Sequence, residues 1–307
     1  MIELSIIMVS YNTKELTLSS LRSIFEQTKD ILFEVIVLDN ASIDGSADAI
    51  SREFPQIKLI SSKENYGFAK GNNIAIKEAK GEYLLLLNPD TIVLNKAIQH
   101  LMAFAKKNQE ARIWGGKTQF SDGSLNPASC WRKMTMWNIF CRSFGLAWLF
   151  PSSPLFNSEA YGGWPRDTVR EVDIVSGCFF MIKREFWESL NGFSPQFFMY
   201  GEEADLCLRA KNFGAKPMVT PDATIVHYGG ASEKVYADKM VKLLKAKHLL
   251  LKKHWPFWKY KIGMIIYPLY PLNRTIVLRI LGLFSKRFNK EVYVWQEIWQ
   301  RRNEWSI

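Results

Sequence analysis

Over the first ninety positions, apolar residues come in short, nearly unbroken runs separated by stretches of helical spacing. Leu4 to Val9 reads Leu-Ser-Ile-Ile-Met-Val, the pattern of a strand buried on both faces. Phe33 to Leu38, Ile57 to Ile60 and Tyr83 to Leu87 predict three more strands. Asn12 with Glu15 three residues later predicts a helix start of the capping-box kind, the helix running toward Gln27. A short helix stopping at Pro55 and a third over 68–80, closed by Gly81, fill the remaining gaps. Strands alternating with helices at this interval predict a parallel α/β sheet. Such sheets bind ligands beyond the carboxyl ends of their strands. Tyr11, Asp39, Asn65 and Asp90 each follow an apolar strand, so one sheet edge is expected to gather them.

The pattern changes after residue 120. Asp122-Gly123 marks a hairpin turn. Trp131, Trp137, Trp148, Phe150, Tyr161 and Trp164 then follow among Pro, Ser and Gly, so 120–171 reads as an aromatic insertion of the kind that lies beside sites. Strand character returns over 172–182, followed by helices over 183–190 and 203–213, the second closed by Gly214. Two short strands, 217–219 and 224–228, precede Gly229-Gly230. A long basic helix is expected from Ser232 to about Trp255, and the remainder is basic, aromatic and cut by prolines.

Composition narrows the function classes. The 307 residues are 48% hydrophobic and 23% charged, enough for one large core or two modest ones. The net charge of +10 is carried by the end of the chain. Residues 232–307 hold 16 Lys/Arg and 5 Asp/Glu (16 − 5 = +11), and residues 1–231 hold 24 and 25 (24 − 25 = −1). The four cysteines lack CxxC spacing, which predicts reduced thiols rather than a zinc or redox site. The opening apolar run ends by Val9 and the run from Ile262 is cut by Pro268 and Pro271, so neither a signal peptide nor a transmembrane helix is expected. His100, His248 and His254 read as surface residues. Gly116-Lys117-Thr118 imitates a P-loop ending, but Ala111 stands where the earlier glycine is required. No G-x-G-x-x-G follows the first strand, and HExxH is absent.

A carboxylate at a strand end can hold a hard divalent cation against a diphosphate, and Asp90 is the candidate. Glu202, Glu203 and Asp205 stand at a predicted helix start, where the dipole favours ionised carboxylates. One further pattern joins them. Ser10-Tyr11-Asn12, Asp39-Asn40-Ala41-Ser42-Ile43-Asp44-Gly45-Ser46, Asn65-Tyr66-Gly67-Phe68 through Asn73 and Leu87-Asn88-Pro89-Asp90 occur in this order. Gly201-Glu202-Glu203-Ala204-Asp205 and His227-Tyr228-Gly229-Gly230-Ala231-Ser232 complete the series. Across residues 4–232 this series resembles the family 2 glycosyltransferases, and within them the rhamnosyltransferase-like branch.

The resemblance implies a GT-A type nucleotide-sugar-binding domain over 1–231, with a mostly parallel central sheet. A basic helical extension over 232–307 follows it. It implies an inverting transfer supported by Mg²⁺ or Mn²⁺. Tyr11 would pack on the nucleotide base and Asp39 accept a hydrogen bond from it, Asn12 and Asn40 would belong to the same nucleotide-sugar site, and Asn65, Gly67 and Asn73 would line the nucleotide and sugar. Asn88 and Asp90 would stand at the diphosphate, with Asp90 and His227 as metal ligands; Asn88 replaces an Asp of many relatives. Glu203 is the expected base and Glu202 its alternative. Trp131, Trp164, Gly177 and Asp205 are expected on the acceptor side. A dTDP-rhamnose donor is expected, with a UDP-hexose donor or a silent glycan-binding subunit as alternatives. The acceptor would be a surface glycan or a polyprenyl-linked oligosaccharide. For the tail, the alternation of cations and aromatics predicts attachment to an anionic membrane surface, peripheral on the cytoplasmic face. Nucleic-acid binding finds no support in the front domain, and packing on the core is the rival.

Overall fold

The computed structural model describes residues 2–229 and 235–306. The expected Gly229-Gly230-Ala231-Ser232 segment therefore lies outside them beyond Gly229, as does the boundary at 231/232. The strands are β1 (Leu4–Ser10), β2 (Phe33–Asp39), β3 (Lys58–Ser61), β4 (Tyr83–Leu87), β5 (Thr91–Val93) and β6 (Ile113–Gln119). They continue with β7 (Leu125–Asn126), β8 (Cys130–Trp131), β9 (Arg170–Glu171), β10 (Ile174–Val175), β11 (Phe179–Lys183) and β12 (Met218–His227). The helices are α1 (Lys14–Gln27), α2 (Ser46–Glu53), α3 (Gly67–Ile76), α4 (Ala97–Lys107), α5 (Met136–Ser143) and α6 (Leu146–Leu149). After them come α7 (Arg184–Ser189), α8 (Glu202–Asn212), α9 (Tyr236–His254), α10 (Phe257–Ile266), α11 (Leu269–Phe284) and α12 (Asn289–Gln300).

Two compact units result. The first comprises 2–131, 165–198 and 202–229. Its main sheet runs β3-β2-β1-β4-β11-β6-β12-β5. Of the seven junctions, four (β3-β2, β2-β1, β1-β4, β6-β12) are parallel, so the expected parallel sheet holds for its first four strands. β11 then enters antiparallel between β4 and β6. All seven residues of β1 and all five of β4 are buried, as continuous apolar runs require. β6 is not among the expected strands, and Gly115 and Gly116 interrupt its apolar run. A Cβ on Gly116 would stand 2.1 Å from the Ala223 carbonyl oxygen and 2.6 Å from the Phe179 ring. Glycine here permits close packing of β6 between its neighbours, and the P-loop likeness has no counterpart in structure.

Three local expectations are corrected. Asn12 does not cap α1: Thr13 occupies that position without a side-chain cap, and the Asn12 amide is engaged elsewhere. The expected strands 217–219 and 224–228 are one strand, β12, with a register shift between Thr220 and Thr224. The run 172–182 is broken at residues 176–178, giving β10 and β11. The Asp122-Gly123 turn does form, joining β6 to antiparallel β7 with Gly123 at φ +82°.

The second unit comprises 132–164, 199–201 and 235–306. Ile139 of the aromatic segment shares a core with Val241, Leu244, Leu278, Trp295 and Ile298. The Ser143 hydroxyl donates to the Ile266 carbonyl (3.0 Å), and the Asn273 amide donates to the Ser143 carbonyl (2.9 Å). His248 is buried, contrary to its surface expectation, and meets the Tyr260 hydroxyl at 2.9 Å. All four cysteines are free and buried. No helix among the described residues is long and apolar enough to cross a membrane.

Glu159 is the electrostatic centre of this unit. It is buried between Arg142 Nη2 (2.9 Å) and Lys247 Nζ (2.6 Å). Burial works against its carboxylate, but the charges of Arg142 and Lys247 and their hydrogen bonds hold its pKa down to about 2. A depressed carboxylate contributes stability above its unfolded pKa and loses it as pH falls toward the folded value. Glu159→Gln leaves two cations facing each other without a counter-charge and should cost about 3 kcal/mol at neutral pH. Thermal melts should show the wild-type advantage shrinking as pH falls from about 4.5 toward 2. A pH-independent difference would refute this origin.

Candidate active site

Parallel pairing sets the site's edge. Ser10 pairs with Asp39 at the ends of β1 and β2, and Ile7 pairs with Leu86 beside the end of β4. The segments after Ser10, Asp39 and Leu87 therefore emerge on one side of the sheet. Beneath them the hydroxyls of Ser10, Thr13 and Thr17 form a buried cluster with contacts of 2.9–3.2 Å, fixing the exit of β1.

The two loops after β1 and β2 are stitched together. Asn12 has φ +51°, and its Oδ1 accepts from the Ile43 N–H (2.8 Å). The Asn12 N–H donates to Ser42 Oγ (2.9 Å), and the Lys14 N–H donates to Asp44 Oδ2 (3.0 Å). Tyr11 stands at this junction, 37% exposed, with its ring available for stacking. Asp39 is buried: Oδ2 accepts from the Ser42 N–H (3.2 Å), while Oδ1 has no hydrogen-bond partner. A buried acceptor without a donor is costly, and a ligand N–H would remove that cost.

Asn40 holds the next loop. Its Nδ2 donates to Asn65 Oδ1 (2.9 Å) and the Gly67 carbonyl (3.2 Å), and its Oδ1 accepts from the Tyr66 N–H (2.8 Å). The loop closes on Gly67, at φ +71°, where a Cβ would lie 2.3 Å from the Phe198 carbonyl oxygen. That same carbonyl accepts from the Phe68 N–H (2.8 Å). Asn73 is committed further back, bonding Phe193 through both amide atoms at 2.8 and 3.0 Å. Its side chain positions the 192–193 turn.

At the end of β4 the structure brings Asn88, Asp90 and His227 together. His227 Nε2 lies 3.4 Å from Asp90 Oδ1 and 3.4 Å from Asn88 Nδ2. The Tyr228 N–H donates to the Asp90 carbonyl (3.1 Å), and Asn126 Nδ2 donates to the His227 carbonyl (3.1 Å). Burial disfavours the His227 imidazolium, but the Cys178 sulfur and the Asp90 carboxylate raise its pKa to about 10. Asn88 Oδ1 and His227 Nδ1 are buried without hydrogen-bond partners. A cation about 2.1 Å from both His227 Nε2 and Asp90 Oδ1, which lie 3.4 Å apart, would have to displace the Nε2 proton that Asp90 favours in its absence. Among the described residues no group of three or more His, Cys, Asp or Glu side chains could hold a metal ion unaided. The fit is thus to a cation shared with ligand oxygens.

The α8 carboxylates divide by environment. Glu202 is buried, with Oε2 lacking a hydrogen-bond partner. Burial, and then the charge of Glu203, push its carboxyl well above the usual range. Glu203 is half-buried beside the 176–178 turn, where a Cβ on Gly177 would meet the Phe68 ring at 3.3 Å and Glu203 Cβ at 3.8 Å. Asp205 is fully buried, accepting from Ser194 Oγ (2.7 Å) and Arg209 Nε (2.9 Å). Arg209 also donates to the carbonyls of Leu190 and Gly192, so Asp205 anchors the 190–194 turn. Trp131 is half-buried in the first unit and Trp164 half-buried in the second.

With this geometry in place, the family model described as glycosyl transferase family 2 matches residues 5–190, more than half of the chain. The chain belongs to glycosyl transferase family 2. Rhamnosyltransferase WbbL of Escherichia coli K12 is 28% identical over 57% of this chain and 65% of its own length. The O-antigen biosynthesis protein RfbC of Myxococcus xanthus is 26% identical over 76% of this chain and 18% of its own. The N-acetylglucosaminyl-diphospho-decaprenol L-rhamnosyltransferase of Mycobacterium tuberculosis is 25% identical over 63% and 66%. The chain spans less than two thirds of the length of each of these relatives. The mannosyltransferase PcManGT of Pyrobaculum calidifontis, solved with GDP-Man and Mn²⁺, superposes at a TM-score of 0.57. It shares 17% identity over 96% of this chain and 84% of its own. TarS 1-349 of S. aureus gives 0.53 at 15% identity, over 98% and 82%. These likenesses show a GT-A type fold.

Ser42, Asp44, Asn126, Cys178 and Phe198 carry parts of this architecture that motif reading leaves without a role. Asp44 and Ser42 stand within the quoted 39–46 series, and their spacing after Asp39 is the one signal that could have found them. Asn40→Ala should cost about 1–3 kcal/mol by orphaning the 65–67 loop. Asn40→Asp should be at least as damaging, because it sets an acceptor against Asn65 Oδ1 and the Gly67 carbonyl. Denaturant melts without ligand test both, and a neutral Asn40→Ala would show that the loop stands without its anchor.

Proposed function

We propose that this chain is an inverting glycosyltransferase that moves rhamnose from dTDP-rhamnose to a lipid-linked or surface-glycan acceptor. The observation that carries the reading is the convergence of Asp39, Asp90 and His227 on the strand-end edge, within a unit that also holds the Glu202–Glu203 pair. Relatives named as rhamnosyltransferases, together with Asn88-Pro89-Asp90, support the donor.

In this reading Tyr11 packs on the base and the vacant Asp39 Oδ1 accepts from a base N–H. Asp90 and His227 would hold Mg²⁺ or Mn²⁺, which offsets the diphosphate charge as it departs. Burial and then the charge of Glu203 raise the Glu202 carboxyl, and Glu203, less buried and beside the 176–178 turn, is the base in this reading. Glu203 takes the acceptor hydroxyl proton as that oxygen bonds to the sugar's anomeric carbon. The bond from that carbon to the diphosphate oxygen breaks, its electron pair leaving with the nucleotide, and attack from the opposite face inverts configuration. The basic second unit would keep the enzyme peripheral on the cytoplasmic face of an anionic membrane, near a polyprenyl-linked acceptor.

Glu203→Gln should lower kcat by about 10²–10⁴ with donor binding retained. Glu202→Gln, isosteric with the protonated acid, should keep most of the rate. A reversal of these two effects would move the base to Glu202. Asp90→Ala should remove the extra thermal stabilisation that Mn²⁺ adds to bound nucleotide, while the ligand-free protein, lacking the buried pair with His227, melts lower but still cooperatively. Full turnover in excess chelator would exclude the metal. A thermal-shift panel of nucleotide sugars tests the donor, and a preference for a UDP-hexose would replace rhamnose.

A further inference from the structure

Helix α11 is apolar on two opposite sides. Its inner side buries Pro271, Thr275 and Leu278. Its outer side presents Ile276, Ile280, Leu283 and Phe284 to solvent, the last two 82% and 83% exposed. Helix α10 repeats the arrangement with Phe257, Trp258, Ile262 and Ile265 exposed on one stripe. A helix facing water carries polar residues on that side, and an apolar stripe there marks a surface awaiting a partner.

Charge identifies the partner. Residues 257–290 contain seven cations (Lys259, Lys261, Arg274, Arg279, Lys286, Arg287 and Lys290) and no Asp or Glu. Such a surface repels a basic partner and a copy of itself, and it complements anionic headgroups. Four of the cations lie against aromatic rings: Arg274 on the buried Trp295, Arg287 on Phe288 and, on α10, Lys259 Nζ at 4.4 Å from the Trp255 centroid and Lys261 Nζ at 5.3 Å from that of Phe257. The two α10 contacts place charge and ring at one level, as at the boundary between headgroups and acyl chains. The 16 residues of α11 extend only about 24 Å, less than a bilayer core of about 30 Å.

We infer that the outer faces of α10 and α11 lie in the plane of an anionic bilayer and bury their apolar stripes at its interface. The inference rests on the membrane attachment proposed above and adds a hydrophobic, salt-resistant contact made by a named face. Adsorption by charge alone would require none of these apolar residues.

The full chain and its Leu283→Glu/Phe284→Glu variant should be co-sedimented with phosphatidylglycerol-containing and with pure phosphatidylcholine vesicles. The salt should be about 0.1 M and about 1 M, where screening lengths are roughly 10 and 3 Å. The wild type should bind the anionic vesicles and remain in part at high salt. The variant should bind about tenfold or more weakly at high salt, with unchanged melting temperature and donor turnover. Complete release of the wild type by salt, with the variant behaving identically, would overturn the insertion while leaving membrane attachment standing. Failure of the wild type to bind either vesicle would overturn both. Self-association abolished by the variant, without vesicle binding, would assign the face to a second copy and also overturn the inference.

Discussion

Parallel pairing of β1 with β2 and β4 is the constraint on which the site depends. Parallel strands must return by crossovers, so every carboxyl end opens on the same side and every loop leaving it is a neighbour of the others. The register Ser10–Asp39 turns that rule into a position, because the first residues beyond each strand then stand side by side. Polar side chains there compete for few donors. Asn12, Ser42 and Asp44 resolve that competition between two loops, and Asn40 resolves it for a third. Asp39 Oδ1 is what remains over.

The centre of the parallel half was legible because β1 and β4 are buried on both faces and so read as nearly unbroken apolar runs, whereas β3 at the edge is only half-buried. Leu4–Ser10 and Tyr83–Leu87 needed nothing beyond their own residues. β6 was not legible, since Gly115 and Gly116 answer to atoms of Val175, Phe179 and Ala223, far away in sequence. The break between β10 and β11 has the same origin, in a turn that Phe68 and Glu203 close over. Motif order placed Asp39, Asp90 and His227 together. It could not show that Asn73 and Asp205 spend their polar atoms on the 190–194 turn, because that is decided by partners such as Phe193 and Arg209.

The Glu202–Glu203 pair illustrates how burial differentiates identical side chains. Adjacent residues on a helix point about 100° apart, so one can enter the core while the other stays at its margin. Glu202 takes the core, where desolvation and then its neighbour's charge push its carboxyl upward. The same logic runs in reverse at Glu159, where two cations outweigh an equally unfavourable burial. Environment, not residue type, sets each proton's place.

The second unit is assembled from chain segments that are made at different times. Residues 132–164 contribute Ile139 and Glu159, while the side chains that cover and neutralise them, from Leu244 and Lys247 onward, are about 80 positions or more further along. At a synthesis rate of about 5–20 residues per second, the aromatic segment waits roughly 4–16 s for its partners. During that interval Ile139 and its partly buried neighbour Met134 lack the core that covers them, and Glu159 lacks Lys247, in a chain whose first strands can already pair. The middle segment of the nascent chain therefore stays without its core and its second counter-charge until residues from about 240 onward have been made.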